Sequence, residues 1–181
     1  MGWSSEQKKN TRSKILHSAA ELFTRDGFEQ VGIDDVMQHA GMTRGAFYNH
    51  FSSKSELYAE AILTAAQDAQ SRAIQSAGIN FGHLIEQYLS LTHRKGEIFR
   101  CPLAFLTTDI NQRDEHVRSA YTKVLKGFVQ NINQLDESSP STEHAMQKAV
   151  LMIGAIAISR AINDEQYADK LLSSCRDAVL S

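Results

Sequence analysis

Arg44, Tyr48 and Asn49 stand close together in a stretch with no acid between Thr43 and Lys54. An arginine can bond a guanine edge bidentately. A tyrosine offers its ring to a thymine methyl and its hydroxyl to a phosphate, and an asparagine bonds a base edge or a phosphate. Thr43, His50 and Lys54 flank this set and suit phosphate oxygens, Lys54 together with the free N–H groups of a helix that begins there. Gly45 and Ala46 are small enough to let a helix lie close to base edges. Phe47 and Phe51, four apart, fall on the opposite stripe and can seat the same helix on a core.

Other chemistry is sparser. Cys101 lies between Arg100 and Pro102, at a predicted helix N-cap, where positive potential favours thiolate. The sharper reading is an electrophile or oxidant sensor; the plainer one is a buried small hydrophobe. Tyr88, Phe99, Phe105 and Tyr121, with Phe81 and Leu84, can wall a small-molecule pocket between helices, with Cys101 beside them and His93 and Thr107 orienting a ligand. The same residues also fit a plain core. The histidines show no zinc spacing, and no nucleophile elbow, phosphate loop or dinucleotide fingerprint occurs. The expectation is therefore a non-enzyme without metal or cofactor.

These residues need elements to hold them. Ile15, Leu16, Ala19, Leu22 and Phe23 predict a first helix over about Gln7–Arg25, ended by Asp26-Gly27. Val36, Met37 and Ala40 give a second over Ile33–His39, and Gly41 suits the turn after it. Thr43 is a candidate N-cap for a third, Arg44–Phe51. Ser53 and Glu56 have capping-box spacing and open a long fourth helix over Lys54–Ser76. Further helices are expected over 81–93, from Pro102 to about Ile110, over 115–135, 142–162 and 166–180, with a loop at Asp136–Ser141 and breaks at Gly78, Gly82 and Gly96.

The expected fold class is all-α: three helices with helix-turn-helix spacing over residues 1–53, joined by the long fourth helix to a further set of helices over residues 54–181, where a ligand pocket and a dimer interface are expected. The helix over 145–162 is almost wholly apolar for three turns and needs cover. Its small residues (Gly154, Ala155, Ala157, Ala161) admit a close partner. With Tyr167, Leu171, Leu172, Cys175 and Val179 of the last helix it predicts a two-fold four-helix interface between two copies. Only two prolines occur in 181 residues, which suits helices throughout.

A net charge of −2 is no magnet for nucleic acid, but the bases are unevenly placed. Lys8, Lys9, Arg12 and Lys14 form one island without an acid, and Arg44, His50 and Lys54 a second, while the intervening acids run from Glu21 to Asp35. Local potential is what phosphates respond to. Two cysteines make no disulfide framework. Met1–Thr11 is polar, and the longest apolar run, Ala149–Ile158, is about half a membrane span. A cytoplasmic protein without a membrane partner is expected.

The run GMTRGAFYNHFSSKSEL, with Ile15, Ala19, Ala20, Leu22, Phe23, Gly27, Phe28 and Ala40 before it, resembles the N-terminal domain of the TetR/AcrR family of bacterial transcriptional regulators. The resemblance covers residues 10–58. It implies an all-α homodimer with a three-helix DNA-binding head and a helical ligand-binding body, which represses a nearby promoter until a small-molecule effector binds. Two third helices about one DNA turn apart would read a palindromic double-stranded operator, and the sharper reading of Cys101 adds a reactive electrophile as signal. Residue 32 departs from the family pattern: a Thr that can bond phosphate is common there, and this chain has Gly32. Residues 101–121 are similar to a segment of one branch of the family. The competing reading is a helical protein-interaction module without DNA binding.

Overall fold

The computed structural model describes residues 5–77, 80–97, 99–137 and 141–181, with side chains of 73–77 left aside. Gly78 and much of the predicted Asp136–Ser141 loop fall outside these residues. Eleven helices follow one another among the described residues: α1 Ser5–Gln30, α2 Ile33–His39, α3 Arg44–Phe47, α4 Lys54–Ala77, α5 Phe81–Tyr88, α6 Leu91–Lys95, α7 Pro102–Phe105, α8 Thr107–Ile110, α9 Glu115–Leu135, α10 Thr142–Ala161 and α11 Glu165–Leu180.

Four expected helices are kinked, shortened or divided, each for a local reason. The regular part of α1 stops where Asp26-Gly27 predicts, because Gly27 adopts φ 81° and ψ 173°, and a further helical turn follows the kink. α3 keeps helical geometry only to Phe47. Beyond it the Asn49 and His50 amides bond the carbonyls three residues back, a tightened last turn. The segment 81–93 splits at Leu89, because the Ser90 hydroxyl accepts the His93 amide and starts α6 afresh. Leu106, at φ −114° and ψ 3°, likewise divides α7 from α8.

The buried residues gather in two cores, and α9 contributes to both. Ile15, Leu22 and Phe23 of α1, Val36 and Met37 of α2, and Phe47 close on Leu57, Tyr58 and Ile62 of α4. Each large side chain buried here contributes about 1.5–3 kcal/mol. Leu106 between α7 and α8, Ile110 of α8, and Val117 and Ala120 of α9 join this same core. The second core gathers Ile85, Leu89, Leu103, Val129, Ile132, Met152, Ile156 and Leu172. The first half of α9 thus packs against the head and its second half against the body, and α4 runs alongside it.

The joint between head and body is polar as well. The Tyr58 hydroxyl donates to Asp109, and Arg113 pairs with Glu29 at 2.5 Å and with Asp109 at 3.3 Å. Arg113 and Lys54 both lie over the Phe28 ring, at 4.5 and 4.1 Å. Ser55 bonds Asp114, the N-cap of α9. These contacts tie the start of α9 to the end of α1 and the start of α4.

At the far end, the buried Arg94 donates to the Ser159 and Ile162 carbonyls and pairs with Glu165. It satisfies last-turn acceptors of α10 that a helix leaves open, and fixes the corner into α11. Among the described residues no helix is long and apolar enough to cross a membrane.

Candidate functional site

The short α3 is held from behind. Phe47 is fully buried, Phe51 nearly so, and their rings stack at 5.7 Å. This leaves Arg44, Gly45, Tyr48 and Asn49 exposed, with Tyr48 60 % accessible although large and partly apolar. Tyr48 is braced edge-on against Phe47 at 5.2 Å. A Cβ built on Gly45 meets nothing in the chain, so the fold itself supplies no reason for glycine there. Ala46 is half-buried and packs on the head core. Thr43 is the N-cap residue as expected, but its hydroxyl makes no capping bond and the side chain is exposed.

The two basic islands of the sequence meet at this surface. Arg12 lies over the Phe51 ring at 4.7 Å and pairs with Glu60 at 2.5 Å. His50 is half-buried with its Nδ1 unbonded; burial, then the charges of Lys8 and Arg12, hold its pKa below the usual value. Lys8 and Arg12 thus stand beside α3, a neighbourhood that needs the fold of α1 to become visible. Lys54 is turned over Phe28, and burial lowers its pKa. The Glu56 carboxylate accepts the Ser52 amide at 2.7 Å, one residue earlier than capping-box spacing predicts, while Ser53 accepts the Glu56 amide.

The acids of α2 divide their work. Asp35 accepts the Gly32 amide at 2.7 Å and so caps α2, whose residue 32 has no side chain to contribute. Asp34 holds Arg44 at 2.5 Å in a pair exposed on both sides. Arg44 thus lies back across the turn towards α2.

The body contains a cavity of about 570 Å³ between α4, α5 and α9. Of the residues expected to wall a pocket, Tyr88, Phe99 and Cys101 line it, as do Leu84 and Phe128. Phe81, Phe105 and Tyr121 are placed elsewhere, Phe81 under the Lys148 ammonium at 5.1 Å. Phe105 stacks on His93 and carries Arg160 at 3.4 Å over its ring. Tyr121 donates to the Leu103 carbonyl at 2.7 Å, where Thr107 also bonds. What the sequence reading missed is a set of amides, Gln67 and Gln70 on α4 and Gln130, Asn131 and Gln134 on α9, together with Gly127. Their signal was present as amides recurring at helical spacing.

Cys101 corrects an expectation. It does start α7 as the N-cap residue, yet it is buried and accepts a hydrogen bond from Tyr88. Burial raises its thiol pKa, outweighing the Tyr88 hydroxyl and the α7 amides, which act the other way. The thiol, not the thiolate, is the resting form. The expected consequence is slow alkylation by N-ethylmaleimide at pH 7, at least tenfold below a free cysteine, with a rate still climbing at pH values where a free thiol has levelled off. Mass spectrometry of the Cys101 peptide across a pH series checks this; rapid labelling at neutral pH would contradict it.

His93 is likewise structural, not a ligand-orienting group. It is fully buried between Phe99 at 4.2 Å and Tyr88 at 4.6 Å. Its Nδ1 meets the Tyr88 carbonyl at 2.6 Å and its Nε2 accepts the Cys101 amide, which assigns the neutral Nδ1–H tautomer. Burial pushes its pKa down from 6.5 to about 4. Unfolding restores a group that protonates near 6.5, so stability is complete above that pH and falls as pH drops towards 4, by about 3 kcal/mol in all. Urea unfolding at pH 7, 5 and 4 measures this: His93→Gln starts less stable and loses correspondingly less over the same interval.

With this geometry in hand, comparison with known proteins gives a consistent result. Residues 15–61 match the profile of the family described as bacterial regulatory proteins, tetR family. The transcriptional regulator UidR of Escherichia coli K12 is 33% identical over 85 residues, which are 46% of this chain and 43% of that protein. AcrR of Shigella flexneri is 38% identical over 55 residues, 30% of this chain and 26% of that protein. The chain thus aligns with less than half the length of these relatives. The fold matches over nearly the whole chain. A TetR-family regulator from Cytophaga hutchinsonii superimposes with a TM-score of 0.79 at 20% identity, covering 99% of this chain and 97% of that one. The reduced form of E. coli NemR gives 0.76 at 21% identity over 94% and 95%.

Proposed function

We propose, because the chain belongs through residues 15–61 to the tetR family of bacterial regulatory proteins, that it is a cytoplasmic transcriptional repressor released from DNA by a small molecule. Residues 1–53 form the DNA-binding part and 54–181 the effector-binding and dimerising part. The observation that carries this reading is the exposed front of Arg44, Gly45, Tyr48 and Asn49 on a helix whose back is locked by Phe47 and Phe51.

Arg44, Tyr48 and Asn49 read base edges, and Ala46 and Gly45 allow the approach. Thr43 and His50 face phosphates, supported by Lys8 and Arg12, and Lys54 reaches one by leaving the Phe28 ring on which it rests in the free protein. The operator is a palindrome, since a two-fold dimer sets two α3 helices about one DNA turn, roughly 34 Å, apart. α10 and α11 make that dimer. Met146, Val150 and Ile158 of α10 and Tyr167 and Leu180 of α11 are large, apolar and exposed. Leu172 and Val179, by contrast, are buried within the monomer, so α11 offers fewer interface residues than its sequence pattern alone implies.

Release follows from the shared helices. An effector between α4, α5 and α9 shifts α9 against α4, and the Tyr58–Asp109–Arg113–Glu29 joint carries the shift to the head. DNA affinity then falls by the difference in effector affinity between the two arrangements. The electrophile route through Cys101 is the weaker of the two signals, since the resting thiol is protonated and buried. An interaction module without DNA binding is not favoured, as the relatives are transcriptional regulators.

A gel shift with purified protein on the DNA upstream of its own gene tests the reading. A discrete complex at nanomolar protein, surviving excess non-specific competitor, is expected. Only diffuse, competitor-sensitive binding would overturn it.

A further inference from the structure

The cavity wall has a charge pattern that narrows what it can hold. Its inner surface is apolar and partly aromatic, from Leu63, Leu84, Tyr88, Phe99, Leu103 and Phe128. Towards α4 and α9 it changes to carboxamides: Gln67, Gln70, Gln130, Asn131 and Gln134. Amides donate and accept equally well and impose no charge. Lys123 is the one cationic side chain of the wall, and no Asp or Glu lines it among the described residues. At the α5 end, Asn80 accepts the His83 amide through Oδ1, so its NH2 donates to His83 Nδ1. This leaves Nε2–H as a further donor. Nothing here compensates a buried positive charge, and an unpaired buried cation is costly.

Gly127 adds an independent observation. It sits in the middle of α9, where glycine weakens a helix relative to alanine. A Cβ built on it meets nothing within 4 Å, and the residue lines the cavity. The chain's own packing gives no reason for glycine at this point. A flat group lying against the α9 backbone does.

We propose that the effector is an uncharged or anionic molecule with a flat apolar ring system and hydrogen-bonding edges, and that the site rejects cations. The rings lie between the aromatic inner wall and the bare backbone at Gly127, the edges meet the amides, and an anionic substituent points to Lys123 at the rim. The cavity volume suits a molecule of two or three fused rings with substituents. This inference rests on the reading of the body as an effector site.

Three probes with one ring system separate the possibilities: 2-naphthoate, 2-naphthamide and 2-naphthylmethylammonium, titrated calorimetrically into the full chain. The anion and the amide are expected to bind at least tenfold more tightly than the cation. Lys123→Glu weakens naphthoate several-fold and leaves naphthamide within about twofold. Gly127→Leu, a better helix former, keeps the fold and fills the site, abolishing binding of all three. Cation binding equal to the others but lost in Gly127→Leu would overturn the proposed class and leave the effector site standing. Binding unchanged by Gly127→Leu, or no binding of any probe at millimolar concentration, would remove the site together with the class.

Discussion

A Val150→Glu, Ile158→Glu chain is expected to stay folded, to sediment as a monomer, and to bind its DNA site about 10²–10⁴-fold more weakly than the parent. Met146, Val150, Gly154 and Ile158 follow one another at four-residue spacing and form a single ridge of α10. Val150 is 68 % and Ile158 56 % exposed, so charge at these positions leaves the body core untouched. A Cβ on Gly154, between them, also meets nothing within 4 Å. The buried stripe of the same helix, through Ala149, Met152 and Ile156, holds the monomer together. Four carboxylates facing one another across a two-fold axis prevent association. Each head then binds a half-site alone, without the effective concentration that a linked second head provides. Analytical ultracentrifugation with a binding isotherm checks both halves; a dimeric double variant would place the interface elsewhere.

The second large effect separates the basic side chains from one another. Arg44→Ala is expected to lose about ten- to a hundred-fold in affinity for the preferred site and to relax one base position. Its pair with Asp34 is exposed on both partners, and such pairs contribute little in water. A bidentate base contact is worth more, so Arg44 leaves Asp34 when DNA arrives. Asp34→Asn should therefore raise affinity several-fold, by freeing Arg44 and removing an acid from the binding surface. Lys54→Ala should weaken binding to every sequence and reduce the salt slope by about one. Its loss from the Phe28 ring also reaches the head–body joint, so its melting temperature is recorded alongside. Equal effects of Arg44→Ala and Lys54→Ala across a panel of site variants would contradict this division of labour.

The head was legible in the sequence because its signals are local. Phe47 and Phe51 share a stripe, Gly41 takes φ 70°, and α2 runs over Ile33–His39 as its apolar spacing requires. The pairing of Asp34 with Arg44 was not legible, because the acid's place near a helix N-terminus already explained it. In the body, aromatic residues pointed to a pocket but not to its wall. Phe105 and Tyr121 satisfy the same composition rule as Tyr88 and Phe99, and only the break at Leu106 and the bond of Tyr121 to Leu103 turn them aside. Cys101 shows the competition most clearly. Its N-cap position favours thiolate, burial favours thiol, and burial depends on residues distant in the chain. Lys8 and Arg12 join the proposed DNA-facing surface for the same reason: α1 packs on α4 and so brings its first turns beside α3.

Selecting random-sequence duplexes with the purified full chain tests most directly whether a dimer reads a palindrome through α3. The expected pool converges on an inverted repeat whose half-site centres lie about one helical turn apart, and it loses convergence at one symmetric pair of positions when Arg44→Ala is used. A pool that fails to converge, or that converges on a single asymmetric half-site with unchanged selectivity in Arg44→Ala, would contradict it.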